Sequence, residues 1–304
     1  MLTAVDFKFI AHVAKHNLSW ATVEEFNARK EIFTAFDAEI ERINADTNNT
    51  FTVGHNFLST MNDYEKKQML GYREWTSGEN EIYEDNMPTA SEVNWVTAGG
   101  VTGVKNQGQC GSCWSFSSTG ALEGAHFIQS GTLESFSEQQ LVDCDHIGSN
   151  GCSGGSMAGA FLWYKSNKAD LESDYPYTAK NGTCSSSQYT GVTTDEGYQM
   201  VTQNSSSALM ASIEAAPTSV AIEADKIAFQ GYSSGILNSS ECGTSLDHGV
   251  LAVGYGTENG QAYYLVKNSW GASWGDAGYV KIGVEDGAGV CGIQSGPPSY
   301  PETN

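Results

Sequence analysis

Lys105-Asn106-Gln107-Gly108-Gln109-Cys110-Gly111-Ser112-Cys113-Trp114-Ser115-Phe116-Ser117 is a glycine-punctuated loop that hands over to a helix. From Trp114 the apolar residues Trp114, Ala121, Leu122, Ala125 and Ile128 recur at mostly helical spacings. Cys113 therefore falls at or near a helix N-terminus. Unpaired backbone N–H groups and the helix dipole favour an anion there, so a thiol can ionise well below its free pKa of about 8.5. That makes Cys113 a candidate nucleophile. Three other readings of Cys110 and Cys113 stay open at this point. They could be half of a zinc site, although a zinc ribbon needs a second C-x-x-C and the sequence has none. They could be a thioredoxin-like redox pair, which expects a parallel βαβ context. Or both could be plain disulfide partners.

The seven cysteines (110, 113, 144, 152, 184, 242 and 291) all lie in the last two thirds of the 304 residues. An odd count suggests three bridges and one free thiol, and that many cross-links point to an oxidising compartment. Each bridge contributes roughly 2–4 kcal/mol if unstrained. Five N-x-S/T sequons, at Asn17, Asn48, Asn181, Asn204 and Asn238, are compatible with a secretory route. The first ten residues carry Asp6 and Lys8 and no apolar h-region, so a secretory signal trimmed from this sequence is expected. No run of about 18 apolar residues exists, and no membrane span is expected. The net charge of −21 argues against nucleic acid and anionic membranes as partners, because both need clustered Lys and Arg. From Met87 onward there are 21 acidic residues against 7 lysines, net −14, and no arginine. Such a balance suits an acidic lumen, and it serves solubility equally well.

Residues 1–86 differ from the rest: no cysteine, more charge, and one strongly periodic stretch. Phe26, Phe33, Phe36, Ile40 and Ile43 step by 7, 3, 4 and 3, which predicts an amphipathic helix ending at Asn44, with Glu25 and Arg29 as an i,i+4 pair. A short strand over 51–57 and a helix over 63–72 follow. Residues 76–86 read as an exposed linker open to proteolytic nicking. Past Pro88 the texture turns to glycine turns, short apolar runs and cysteines. Ser137 to Cys144 reads as a helix capped by Ser137, and the glycine turn at Cys152-Ser-Gly-Gly-Ser-Met157 feeds a helix over 158–165. Strands are expected at 220–222, 248–255, 262–267 and 278–282. A helical half followed by a β half suggests a cleft between two lobes, a usual place for a site.

A nucleophilic cysteine needs a base beside it and a group to orient that base. His12, His16 and His55 lie in the leading segment, His126 follows Cys113 in its helix, and His146 sits in a loop. His248 opens the apolar run Asp247-His248-Gly249-Val250-Leu251-Ala252-Val253, and twenty residues later comes Lys267-Asn268-Ser269-Trp270-Gly271-Ala272-Ser273-Trp274-Gly275. An amide beside two tryptophans suggests a hydrogen bond shielded from water.

Gln-Gly-Gln-Cys-Gly-Ser-Cys-Trp, Asp-His-Gly at the start of a β run, and Asn-Ser-Trp-Gly-x-x-Trp-Gly together resemble papain-type cysteine peptidases, nearest the cathepsin L-like branch. His and Asn some 130–150 residues after the cysteine are part of that signature; the gaps here are 135 and 155. The resemblance runs over essentially the whole chain. It implies an α+β, two-lobed papain-like fold, with a helical left lobe and a β-barrel-like right lobe, behind a helical inhibitory propeptide. The propeptide would cover residues 1–86 and the peptidase domain 87–304, since Val93-Asn94-Trp95 resembles the family's early Val-Asp-Trp. Cys113 would be the nucleophile, paired with His248 as thiolate and imidazolium. Asn268 would orient the imidazole under the cover of Trp270. Gln107 and the Cys113 N–H would form the oxyanion hole, whose donors are worth roughly 3–4 kcal/mol each. The family's connectivity would pair Cys110 with Cys152, Cys144 with Cys184 and Cys242 with Cys291.

Gly154 and Gly155 would present backbone to an extended substrate, and Met157, Ala221, Leu246 and Gly249 would line an uncharged main pocket. That implies Leu, Phe or Val two residues before the cut. No extra loop of the kind that makes some relatives exopeptidases is present, so an endopeptidase is expected. It would need no metal or cofactor, act on proteins and peptides as a monomer, be inhibited by its own propeptide until acid-pH removal, and work in a lysosome, a vacuole or outside the cell. The leading segment matches the family at Glu25, Arg29, Phe33, Ile40, Asn44, Gly54 and Asn56. It departs at Phe36, where asparagine is usual, and at Leu58 and Thr60, where Phe and Asp are usual. Gly287-Ala-Gly-Val-Cys-Gly292 matches G-x-G-x-x-G but follows no clear strand, and reads as a turn around a disulfide. Gly71, Gly78 and Ser205-Ser206-Ser207 read as loops. An inactive homologue and a disulfide oxidoreductase built on Cys110 and Cys113 are the rival functions.

Overall fold

The computed structural model describes residues 2–75 and 87–302. The linker expected at 76–86 lies outside the described residues. The leading segment begins with α1 (Ala4–Lys15), whose cap Thr3 accepts from the Asp6 N–H while the Asp6 carboxylate takes the Thr3 N–H. This helix shows no clear apolar period, because only Asp6, Phe9 and His12 are buried in it. α2 (Val23–Ala45) is the amphipathic helix expected from its periodicity and buries Phe33, Phe36, Asp37 and Ile43. Phe9 of α1 meets Phe33 with ring centres 5.4 Å apart, and Lys8 reaches Asp37 at 2.8 Å.

β1 is only Phe51–Val53, because Asn56 caps a tight turn at Phe57–Thr60 by accepting the Leu58 N–H at 2.9 Å. α3 (Asp63–Lys67) is also shorter than expected. Met69 and Leu70 extend it by one tight turn, and from Gly71 the chain is drawn out across the cleft. Arg29 of α2 ties the two helices together, bonding Glu65, Glu25 at 3.2 Å and the Thr60 carbonyl at 3.0 Å.

β2 (Val93–Asn94), α4 (Cys113–Ser130), α5 (Glu138–Cys144) and α6 (Met157–Tyr164) build the helical lobe. Ser137 caps α5 and Ser156 caps α6 through side-chain bonds to Gln140 and Gly159 N–H groups. α4 is buried from Cys113 to Ala125 and approaches the other lobe closely through small residues. A Cβ on Gly120 would stand 2.7 Å from Leu251 Cδ2, and one on Gly124 2.4 Å from Pro217 Cγ. This close approach holds the start of α4, and with it Cys113, at the boundary between lobes.

The second lobe contains β3 (Gly197–Met200), α7 (Ser206–Ala215), β4 (Thr218–Ile222), α8 (Ile227–Gln230), β5 (Tyr232–Leu237), β6 (His248–Glu258), β7 (Gln261–Lys267), β8 (Tyr279–Gly283) and β9 (Ser299–Glu302). Ser205-Ser206-Ser207 is not a loop: Ser205 accepts the Ala208 N–H and starts α7. The strands run in the order β1-β5-β8-β7-β6-β4-β9-β3, with β2 paired to β6. β6 is the central strand, antiparallel to both β4 and β7. At the far edge β1 of the leading segment pairs antiparallel with β5, Phe51 opposite Gly235. Phe51, Val53, Leu58 and Met69 join Tyr232, Tyr264, Trp270 and Trp274 in one apolar core, so the leading segment shares the core of the β lobe. Disulfides join Cys110–Cys152, Cys144–Cys184 and Cys242–Cys291.

Between the lobes lies a buried charge cluster. Lys105 Nζ bonds Glu123 at 3.0 Å and Glu138 at 2.6 Å, with both carboxylate side chains 1% exposed. Two carboxylates share one ammonium, so Lys105 is pushed up while burial pushes Glu138 up to about 7. Lys105→Met, made in a Cys113→Ala background to prevent self-digestion, leaves both carboxylates without that cation. We expect a loss of about 3–5 kcal/mol in guanidinium unfolding, against less than about 0.5 kcal/mol for the exposed Lys180→Met.

Candidate active site

Cys113 is the first residue of α4 and His248 the first of β6, and both are 0% exposed. Gly249, next to His248, donates its N–H to Cys113 Sγ at 3.4 Å. His248 Nε2 lies 2.8 Å from Asn268 Oδ1, just past the end of β7. An amide oxygen can only accept, so Nε2 carries the proton and Nδ1 is the bare, basic nitrogen. Among the described residues Nδ1 has no hydrogen-bond partner. Trp270 is 2% exposed and its ring centre stands 4.8 Å from the imidazole, which shields the His248–Asn268 bond from water.

Gln107 is held from three sides. Its N–H donates to the Ser269 carbonyl at 2.8 Å, its Oε1 accepts from Ser269 Oγ at 2.7 Å, and its Nε2 is thereby turned towards the cleft. Ser269, which has no chemical signature of its own inside the Asn-Ser-Trp block, links Asn268 to Gln107 by donating its N–H to Asn268 Oδ1 and its hydroxyl to Gln107 Oε1. Cys110 is bonded to Cys152, which leaves no Cys110–Cys113 pair for thiol–disulfide exchange. Cys113 is the free cysteine. His12, His16 and His55 cluster in the leading segment, His126 packs edge-on to Phe136, and the 287–292 glycines wrap Cys291.

The leading segment runs over this group. Gly155 N–H donates to the Gly71 carbonyl at 2.9 Å, the Gly155 carbonyl accepts from Arg73 N–H at 2.8 Å, and Tyr72 N–H donates to the Asp247 carbonyl at 2.9 Å. Tyr72 and Gly155 thus pair in parallel. Gly154, at φ +108, contributes space instead of a bond: a Cβ there would sit 2.8 Å from Gly71 O. Gln107 Nε2 donates to the Met69 carbonyl at 2.8 Å and to the Cys110 carbonyl at 2.8 Å. Tyr72 packs against the cluster that contains Met157, Ala221 and Leu246. Gly249 stands beside the same pocket, a Cβ on it coming within 3.0 Å of Met157 Sδ.

Two residues of this pocket were not read from the sequence. Gly296 lies at its end, where a Cβ would stand 2.7 Å from Leu246 Cδ1, 3.3 Å from Ala221 Cβ and 3.4 Å from Tyr72 Oη. Tyr72 is the plug. Neither carries a local motif; only the fold brings them here.

Covered in this way, Cys113 and His248 are fully buried. Burial pushes the Cys113 thiol up to about 11, with the Gly249, Gly71 and Trp114 N–H groups pulling the other way. Burial also lowers His248 to about 4, against the pull of Asn268. Both shifts favour the neutral thiol and the neutral imidazole while the segment is in place.

Residues 89–301 match the Papain family cysteine protease model. Digestive cysteine proteinase 2 of Homarus americanus is 42% identical over 298 residues, covering 94% of this chain and 92% of that protein. The probable cysteine protease RD21C of Arabidopsis thaliana is 43% identical over 290 residues; 91% of this chain aligns to it, and the chain spans only 63% of that longer protein. Among solved structures, procathepsin L 3 of Tenebrio molitor larval midgut superposes with a TM-score of 0.87 at 36% identity, over 99% of both chains. A recombinant stem bromelain precursor gives 0.88 at 34% identity, over 98% of this chain and 99% of that one. Both are precursors whose fold covers leading segment and lobes alike. The chain belongs to the papain family of cysteine proteases, as a cathepsin L-like proenzyme with the two-lobed papain-like fold.

Proposed function

We propose that residues 87–304 are a cysteine endopeptidase and that residues 1–86 are its intramolecular inhibitor, removed at acid pH. The observation that carries this reading is the strap of Gly71–Arg73 bonded to Gly155 across Cys113, His248 and Asn268. With the strap gone, water and substrate reach the site and the Cys113 proton passes to His248 Nδ1, giving thiolate and imidazolium, with Asn268 holding the ring. The thiolate attacks the carbonyl carbon of the scissile bond. The oxyanion is taken by Gln107 Nε2, freed from Met69, and by the Cys113 N–H. His248 protonates the leaving amine, and water then hydrolyses the acyl-enzyme and returns the proton to the pair. Substrates are proteins and peptides. The compartment is a lysosome, a vacuole or the extracellular space.

Met157, Ala221, Leu246, Gly249 and Gly296 offer no charge to the residue two before the cut, and Tyr72 fills the same space, so Leu, Phe or Val is preferred there. Full-length protein held at acid pH with a thiol reductant is expected to lose about the first 86 residues and to cleave a fluorogenic peptide with Phe two before the cut far faster than its Arg counterpart. Cys113→Ala should do neither. Equal processing in the Cys113→Ala control, or a preference for Arg at that position, contradicts the proposal.

Acid removal has its own physical support. His12 lies 4.4 Å from His16 and 5.9 Å from His55, ring centre to ring centre, in a pocket closed by Phe33. Lys15 adds a further positive charge, while Asp37 accepts from His55 Nε2 at 3.0 Å and also pairs with Lys8. Burial lowers His12 to about 4, with His16, His55 and Lys15 adding to it, and burial also lowers His16 and His55. Groups lowered on folding stabilise fully above the unfolded value near 6.5 and lose that contribution as pH falls towards 4. Three buried aspartates of the lobes behave oppositely. Burial raises Asp145 to about 6, Asp247 to about 7 and Asp195 to about 8, so their contribution is full below about 4 and lost as pH rises through those values. Acidification therefore removes what the three histidines contribute to the leading segment while keeping what these three aspartates contribute to the lobes. In the double variant His12→Leu, His16→Gln the pH midpoint of processing is expected to drop by about half a unit or more; an unchanged midpoint rules the cluster out as the trigger.

A further inference from the structure

Trp75 is the last described residue of the leading segment, three past the Tyr72 that plugs the main pocket. It is seated, not loose. Its six-membered ring rests on Gly148, where a Cβ would stand 2.5 Å from Trp75 Cζ3, and it reaches Gly159 of α6, where a Cβ would be 3.5 Å from Cε3. Both floor positions lack a side chain where the indole lies. Gly148, at φ +73, has a backbone that glycine adopts freely and other residues rarely do. Ile147 borders this floor through its carbonyl, which a Cβ on Gly159 would meet at 2.1 Å. The buried indole Nε1 faces the Tyr198 phenol.

The slot opens into a groove of about 340 Å³ bordered by Met200, Val201 and Pro297, with Glu74 and Trp75 along its rim. Pro297 directly follows Gly296, the residue at the end of the main pocket. The groove therefore continues the cleft outward. An extended chain rises about 3.3 Å per residue, so three residues from the main pocket span roughly 10 Å.

We infer that the Trp75 slot is a distal substrate subsite that takes a large aromatic side chain from the fourth or fifth residue before the scissile bond. The inference rests on the endopeptidase reading above and extends it. Tyr72 and Trp75 occupy the cleft as two anchors on one extended strand, and removal of the leading segment frees both places for a substrate strand. An anchor so far from the reacting carbonyl binds ground and transition states alike, so it acts on KM and leaves kcat unchanged.

The test uses enzyme released from the full chain and internally quenched peptides with a fixed Phe-Arg core, carrying Trp, Ala or Glu at the fourth or fifth position before the cut. Trp at one of these positions is expected to raise kcat/KM at least about fivefold over Ala, through KM, with Glu no better than Ala. Gly148→Asn, whose side chain would stand where the indole lies and which tolerates the local φ of +73, should bring the Trp-to-Ala ratio on the same peptides close to one. Equal kcat/KM for Trp, Ala and Glu at both positions, with the Phe-Arg core still cleaved, overturns the subsite. A preparation that cleaves none of the peptides overturns the endopeptidase reading itself, and the two failures are told apart by the core peptide alone.

Discussion

Gly155 is bonded on both sides of its peptide unit to the leading segment, its N–H to Gly71 and its carbonyl to Arg73. That ladder explains the state of everything beneath it. It lays Tyr72 over the main pocket, brings the Gly71 N–H towards the Cys113 sulfur and sets the Met69 carbonyl on Gln107 Nε2. His248 lies on Asn268 with Trp270 over both, and Cys113 and His248 are fully buried. A thiol pushed up to about 11 and an imidazole lowered to about 4 are consequences of burial, not of wrong geometry.

A strap of three residues is held only as well as the body behind it. Here the body is a helical unit anchored at separate places: β1 adds to the edge of β5, Leu58 and Met69 enter the β-lobe core, and Arg42 reaches Glu241 at 2.6 Å. Within the unit Arg29 joins α2 to α3 through Glu65, and its reach to the Thr60 carbonyl uses backbone, so threonine in place of the family's usual aspartate leaves that contact intact. Phe36, the other departure, is 2% exposed and carries Lys66 over its ring at 5.2 Å. The titrating centre of the unit is the histidine cluster packed on Phe33.

The family and the candidate site were legible in the sequence because they are carried by local strings. Cys113 follows two glycines and starts a helix, Asp-His-Gly opens a strand, and Asn-Ser-Trp-Gly names its own shielding tryptophan. The amphipathic helix α2 was legible for the same reason, since its buried phenylalanines recur along one face. What escaped is what the tertiary fold decides. α1 buries too few residues to show a period, and β3, β5 and β9 are short strands defined by their partners, β5 with two exposed serines and a glycine in its middle. Ser205-Ser206-Ser207 reads as a loop until one sees that Ser205 is a cap. Tyr72, Gly296 and Trp75 become meaningful only when the chain is drawn across the cleft, which cut short the helix expected over 63–72.

We propose that the leading segment silences the candidate site by covering it. The direct measurement is the alkylation rate of Cys113 by iodoacetamide at pH 7.5, in the intact chain and after removal of residues 1–86. Cys113 is the free thiol, so the reading is clean. At least about a hundredfold faster reaction after removal is the expected result, as water and His248 Nδ1 gain access to the sulfur. Equal rates in the two forms would contradict the account.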